Sequence, residues 1–166
     1  MRSSADAWSR GSSSAAGAVD LVDAVARCRA DGRFLAELSA ILRRADAAVA
    51  AYGPGCRACG ACCRFEEFGH RLYVSAGELA LLTAAAPPEP CRPGRCPYQL
   101  DSRCTARDRR SLGCRVFFCR AELADGSAAL YEQLHRQIRR LHDRYALGYL
   151  YVELTAALVE ICPAEP

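Results

Sequence analysis

The stretch Cys56-Arg57-Ala58-Cys59-Gly60-Ala61-Cys62-Cys63 constrains this chain most, placing four thiols in eight residues with the spacing C-x2-C-x2-C-C. Thiolates are soft ligands, and a C-x2-C pair lets one turn of backbone aim two sulfurs at a single metal ion. C-x2-C-x2-C is also the run that seats three corners of a cubane cluster, with the fourth thiolate arriving from elsewhere. A disulfide framework is the competing reading. A bridge between the neighbours Cys62 and Cys63 would be strained, although each could pair elsewhere.

A second block holds Cys91, Cys96, Cys104, Cys114 and Cys119 within thirty residues. Such loops have little core of their own, and a bound metal would pin them. The eleven cysteines of the 166 residues exceed ordinary usage but fall short of a small secreted disulfide scaffold. Residues 1–17 are rich in Ser, Ala and Gly and lack the apolar core of a signal peptide. No run of eighteen apolar residues predicts a membrane span. A cytoplasmic location is therefore expected, where clustered cysteines read as metal ligands or redox groups.

The length suits a single domain, residues 18–166, preceded by a disordered tail over 1–17 in which Trp8 is a possible sticking point. Three segments follow in order. The first, 18–52, is helical: Val22, Val25 and Ala26 recur at helical spacing, Asp31-Gly32 interrupts, and Phe34, Leu35, Leu38, Ile41, Leu42, Ala45 and Val49 form an amphipathic stripe. Gly53-Pro54-Gly55 ends it. Cys28 within this segment reads as a small buried hydrophobe.

The cysteine-cluster region spans 53–120. Arg71 to Val74 predicts a short strand, Ser75-Ala76-Gly77-Glu78 a capping box, and Leu79, Leu81 and Leu82 a short helix stopped by Pro87 and Pro88. Tyr98 to Arg103 predicts a small hairpin between Cys96 and Cys104. In the third segment, 121–166, Asp125-Gly126 reads as a turn and Ser127 as an N-cap. Leu130, Leu134, Ile138, Leu141 and Tyr145 give one helix; Gly148 breaks it, and Tyr149 to Ile161 read as a second, mostly helical run. The fold class expected is mainly α, with helices packed around two loop-borne cysteine blocks and at most a short β-hairpin or strand pair.

Taken together, Cys56 to Cys63, then Cys96-Pro97-Tyr98-Gln99-Leu100, then Cys104 and, ten residues on, Cys114-Arg115-Val116-Phe117 resemble the CxxCxxCC family of zinc- or iron-chelating proteins, the YkgJ-type cysteine cluster proteins. The family pattern runs roughly CxxCGxCC, CPxL, then C-x-I-Y-x-x-R-P-x-x-C-R-x-F. The match covers somewhat over a third of the chain. Arg110 falls on the Arg of the family's Arg-Pro pair and Arg115 on the Arg after the last shared cysteine; Ser111 replaces the proline and Arg107 the usual tyrosine.

The resemblance implies metal or iron–sulfur binding by Cys56, Cys59, Cys62, Cys63, Cys96, Cys104 and Cys114, inside the cell. Cys119 is an eighth candidate by proximity alone. Eight thiolates would suit two closed zinc sites; four would suit one [4Fe-4S] cluster with Cys56, Cys59 and Cys62 as three corners. Both stay open. Arg57, Arg64, Arg103, Arg110 and Arg115 stand beside these cysteines in sequence and could offset the negative charge of a thiolate centre.

Other candidates read as structural. His70 could complete a Cys/His site but has no histidine partner nearby in sequence. His135 and His142 are two helical turns apart, about 10.5 Å, too far for one ion, and read as a polar rim beside an apolar stripe. Glu66-Glu67 reads as a solvated charge pair. Cys91 could substitute as a ligand, and Cys162 reads as spare.

The expected function is thus an intracellular metal-binding cysteine-cluster protein, with an unknown protein partner possible. Alternatives are an oxidoreductase or cluster-dependent transferase using the same centre, and a zinc or iron storage or trafficking protein. No G-x-G-x-x-G after a strand, P-loop or H-E-x-x-H is present, and no catalytic residue is assigned. All 22 basic residues are arginine, so lysine Schiff-base chemistry is excluded. The net charge of +3 gives no reason to expect nucleic acid.

Overall fold

The computed structural model describes residues 20–51, 60–116 and 124–162. The tail over 1–17, the Gly53-Pro54-Gly55 stop, Cys56, Arg57, Cys59 and Cys119 lie outside the described residues. The fold is mainly α, with two short antiparallel strand pairs among the described residues.

Asp20 caps helix α1 (Leu21–Ala30), accepting from the Asp23 amide at 3.1 Å. Asp31 then ends α1 and starts helix α2 (Gly32–Ala51): its Oδ1 accepts from the amides of Arg33 and Phe34 at 3.0 and 2.9 Å. The break expected at Asp31-Gly32 is therefore a shared cap. The apolar stripe of α2 buries Phe34, Leu38, Ile41, Leu42 and Ala45, and Cys28 is fully buried in the same core.

Strand β1 (Tyr73–Ser75) leads directly into helix α3 (Ala76–Leu82). The capping box is present: Glu78 accepts from the Ser75 amide at 2.8 Å, and Ser75 Oγ accepts from the Glu78 amide at 3.3 Å. The other Glu78 oxygen accepts from the Leu112 amide at 2.8 Å, at the start of helix α4 (Leu112–Val116). One buried carboxylate thus serves two helix N-termini, where free amides and the helix dipole favour negative charge.

Strands β2 (Gln99–Leu100) and β3 (Arg103–Cys104) form the expected hairpin, with Gln99 opposite Cys104 and Leu100 opposite Arg103. The two turn residues, Asp101 and Ser102, both have positive φ, 47° and 62°. That is the turn whose twist matches a two-residue hairpin.

The C-terminal segment departs from expectation twice. Helix α5 (Ala124–Arg144) runs through Asp125-Gly126, so Ser127 does not cap it. Tyr149 onward is not a second continuous helix: strand β4 (Tyr151–Glu153) intervenes before helix α6 (Leu154–Ile161), pairing antiparallel with β1. Tertiary pairing decided this. β1 needs a partner for its backbone groups, and Tyr151-Val152 have aromatic and β-branched side chains that suit a pleat. Glu153 then caps α6 by accepting from the Ala156 amide at 2.7 Å.

His142 is also corrected: it is fully buried, set edge-on against Phe34 and Tyr149, not on a polar rim. Burial depresses its basicity, and the backbone at Leu147 and Gly148 opposes this only in part. Neither ring nitrogen reaches a well-aligned partner among the described residues. Leu134, Ile138 and Leu141 of α5 share this core with α2. Among the described residues no helix is long and apolar enough to cross a membrane.

Candidate metal centre

Gly60 starts the described part of the first cysteine block. Its φ of 73° turns the chain into a single 3-10 turn, Ala61–Cys63, which carries Cys62 and Cys63. Only glycine fits: a Cβ there would lie 2.0 Å from Gln99 Nε2 and 2.9 Å from the Ser102 carbonyl oxygen. Gln99 Nε2 uses the space to donate to the Gly60 carbonyl at 2.7 Å.

Backbone hydrogen bonds fasten this turn to the second block. The Cys96 amide donates to the Cys63 carbonyl at 2.9 Å, and the Glu66 amide to the Gly94 carbonyl at 2.9 Å. His70 Nε2 lies 3.2 Å from the Cys62 carbonyl oxygen, and its ring packs edge-on against Phe65. In this geometry His70 orders the loop through the Cys62 backbone, as a structural histidine does.

The thiols are neighbours across this junction. Cys62 and Cys63 lie close enough to shift each other's ionisation, and Cys96 does the same to Cys63. Cys114, in α4, lies close enough to Cys104 and Cys62 for each to feel the other's charge, and Cys63 senses Cys114. Five of the eight expected ligands, from both blocks, are thus linked in a chain of electrostatic neighbours. Among the described residues no three cysteine, histidine or carboxylate groups already stand in a metal-holding arrangement.

Crowding raises the cost of ionising these thiols. The Cys62 thiol is pushed far up, first by its hydrogen bond with Cys63 and then by burial. Cys62 favours the Cys63 thiolate, but Cys96 and burial outweigh it and push Cys63 up to about 12. Burial pushes Cys114 up to about 11, against the Ser111 hydroxyl, which donates to its sulfur at 3.4 Å. Ser111, standing where the resemblance has proline, thus acquires a contact with a candidate ligand.

The two arginines matching the motif do not fork onto sulfur. Arg115 is buried, donates to the carbonyls of Arg110 at 2.8 Å and Asp108 at 2.7 Å, and pairs with Asp46 of α2. Arg110 donates to the carbonyls of Arg107 at 3.0 Å and Cys114 at 3.3 Å, and reaches Asp46 at 3.5 Å. Their main work is to fold the loop that carries Cys114. Arg110 also favours the thiolate forms of Cys62 and Cys114 through its positive charge.

Arg64 is paired with Glu67 at 2.8 Å, and Glu66 and Glu67 are both exposed, as the sequence suggested. Asp46 was missed in the sequence because its partners lie 64 and 69 residues away. Burial pushes the thiol of Cys91, read as a possible ligand, up to about 11, and Cys162, read as a spare, is near enough to raise the cost of ionising it further. Two open clefts, of about 600 Å3 between α2 and α5 and about 650 Å3 beside the α1–α2 junction, are lined by no cysteine.

Comparisons with family models, with curated proteins and with solved structures found no match to this chain.

Proposed function

We propose that this chain is an intracellular cysteine-cluster protein that binds a metal centre, an iron–sulfur cluster or zinc, through thiolates of both cysteine blocks. The observation that carries the proposal is the Cys96–Cys63 backbone bond, which ties the two cysteine blocks together and leaves Cys62, Cys63, Cys96, Cys104 and Cys114 within electrostatic reach of one another as a chain of neighbours. Cys56 and Cys59 belong to the same motif and would add two more sulfurs, with Cys119 the eighth candidate. The likeness to the CxxCxxCC family is part of the proposal.

The donor set fits soft, thiophilic metals. Crowded together, these thiols resist ionising unless a cation takes the place of their protons, so metal binding would release protons and consolidate both loops. Zinc would supply a structural clamp, and an iron–sulfur cluster would add electron transfer. The chain's own contribution is to hold the loops: Gly60 and Gln99 set the first, Arg110 and Arg115 with Asp46 set the second, and Glu78 fixes the start of α4.

Anaerobic purification followed by elemental analysis and a visible spectrum tests the reading. Iron with acid-labile sulfide and visible absorbance, or stoichiometric zinc in a colourless protein, is the expected outcome. The metal should fall to a small fraction in Cys63→Ser and Cys96→Ser. A folded protein that carries no metal after anaerobic reconstitution with iron and sulfide or with zinc overturns it.

A further inference from the structure

Away from the cysteine blocks the chain gathers its basic charge along one seam. The cleft between α2 and α5, of about 600 Å3, is lined by Arg43 and Arg44 from one helix and by Arg140 and Arg144 from the other. Glu37 is the one acidic residue in that lining among the described residues. Four arginines against one glutamate give the lining the same +3 excess that the whole chain carries, so the rest of the sequence is balanced.

Helical spacing builds this cleft. Gln137, Arg140, Leu141 and Arg144 recur at three and four along α5 and so share one face. Ile41 and Leu141 are buried and close the floor, while Ala40 and Ala47, with only a methyl each, leave the opening. The four arginines are exposed along its two sides.

Little of their charge is spent within the protein. Glu37 is taken up at one end, where Arg144 pairs with it and Tyr145 Oη donates to its other oxygen at 2.5 Å. Arg44 donates to the neutral Gln137 Oε1 at 2.6 Å, which leaves its charge uncompensated. Among the described residues Arg43 and Arg140 have no ion-pair partner. Three guanidinium charges thus border the cleft without a counter-charge. Arginines on both sides repel across the opening, and Arg140 and Arg144, one turn apart, oppose each other along the helix. Arg110 and Arg115 earn their place by donating to carbonyls; none of these four does so among the described residues.

A multivalent anion would relieve that repulsion. Guanidinium forks match phosphate oxygens in pairs. A volume of about 600 Å3 lies in the range of small-molecule sites. No aromatic side chain lines the cleft to stack on a base, so the anionic group itself is what the site can recognise. We infer that the α2–α5 cleft binds a small molecule through a diphosphate group, free or esterified, with Arg43, Arg44 and Arg140 as its contacts.

The test titrates the full chain, carrying the metal it purifies with, with diphosphate, inorganic phosphate and ADP by calorimetry at low salt. One diphosphate per chain is expected, bound more tightly than phosphate and more weakly as sodium chloride is added. A hydrogen bond to a charged group is worth roughly a factor of ten in affinity, so Arg43→Ala and Arg140→Ala should each weaken diphosphate binding about tenfold. Arg139→Ala is the control: it removes the same charge from the same helix, but Arg139 lies over the Tyr149 ring at 5.8 Å, outside the cleft lining. Its affinity should match that of the unaltered chain. All three arginines are exposed, so the fold should survive each change, as urea midpoints will show. ADP binding as tightly as diphosphate assigns the site to diphosphate esters, and weaker ADP binding assigns it to the free anion. No binding of diphosphate, equal affinity for phosphate, or equal losses in Arg139→Ala and Arg140→Ala overturn the inference. So does capture of duplex DNA or an acidic peptide by a chain that ignores diphosphate. A signal that persists in both cleft variants and disappears with the metal would put the anion on the metal, and overturns it as well. No cysteine lines the cleft, so failure here leaves the metal measurement untouched.

Discussion

Replacing Gly60 with alanine tests how the first cysteine block is held. Two costs are expected. The residue sits at φ 73°, and an L-residue in the left-handed region costs about 1–2 kcal/mol. The new Cβ would also stand 2.0 Å from Gln99 Nε2 and 2.9 Å from the Ser102 carbonyl oxygen. The carbonyl is backbone within the β2–β3 turn and yields little, so the Gln99 amide must move and its 2.7 Å hydrogen bond to the Gly60 carbonyl is lost. Leaving a buried polar group without its partner costs about 1–3 kcal/mol. The sum is about 2–5 kcal/mol.

Gly69 supplies the control. Its φ is 64°, yet a Cβ there would meet nothing within 4 Å. Gly69→Ala should therefore show the backbone cost alone, about 1–2 kcal/mol. Both variants are measured by urea unfolding at matched metal content, because a bound metal raises apparent stability by itself. The expected result is a lower midpoint for Gly60→Ala than for Gly69→Ala at an unchanged slope. Equal losses, or a Gly60→Ala loss below about 1 kcal/mol, would refute the reasoning about the Gln99 contact.

Glu78→Gln replaces one of two oxygens that serve the Ser75 amide and hydroxyl and the Leu112 amide; a loss of about 1–3 kcal/mol is expected in denaturant unfolding, and an unchanged midpoint would contradict the double-capping role. Arg115→Ala removes a buried cation with two carbonyl acceptors and should cost about 2–5 kcal/mol, whereas Asp46→Asn, at a partly exposed partner, should cost less than about 1 kcal/mol; the reverse order would show that the ion pair and not the loop contacts matters. His142 has its folded pKa below the ordinary 6.5, so its contribution to stability is full above pH 6.5 and declines as pH falls toward the folded value. His142→Phe should remove that part of the pH slope, as read from urea midpoints between pH 7 and 5, and an identical slope in both proteins would contradict it.

The sequence was readable where the physics is local. Ser75 with Glu78 is a cap set three residues apart, and it forms; the interruption read at Asp31-Gly32 is there too, although its Asp31 cap and the Asp20 cap of α1 were not read. The Tyr98 to Arg103 hairpin follows from its turn, and the α2 stripe from helical spacing. What could not be read was set by distant partners. Tyr151 to Glu153 is a strand because β1 lies opposite it. His142 is buried because Phe34 and Tyr149 close over it. The Glu78 bond to Leu112 and the Asp46 contacts each join residues more than thirty positions apart. For the candidate site, spacing named the cysteines; Cys62, Cys63, Cys96, Cys104 and Cys114 lie within electrostatic reach of one another in a chain of neighbours, while no three of them stand in a metal-holding arrangement among the described residues. Spacing did not convey that Arg110 and Arg115 would spend their donors on carbonyls and Asp46.

X-ray absorption at the edge of the copurifying metal tests the central claim most directly, because it counts the atoms bound to the ion. The account expects a shell dominated by sulfur, at about 2.3 Å if the ion is zinc, that loses sulfur in both Cys63→Ser and Cys96→Ser. A shell of oxygen and nitrogen alone, or a sulfur shell that neither substitution alters, would contradict a shared centre built from both cysteine blocks.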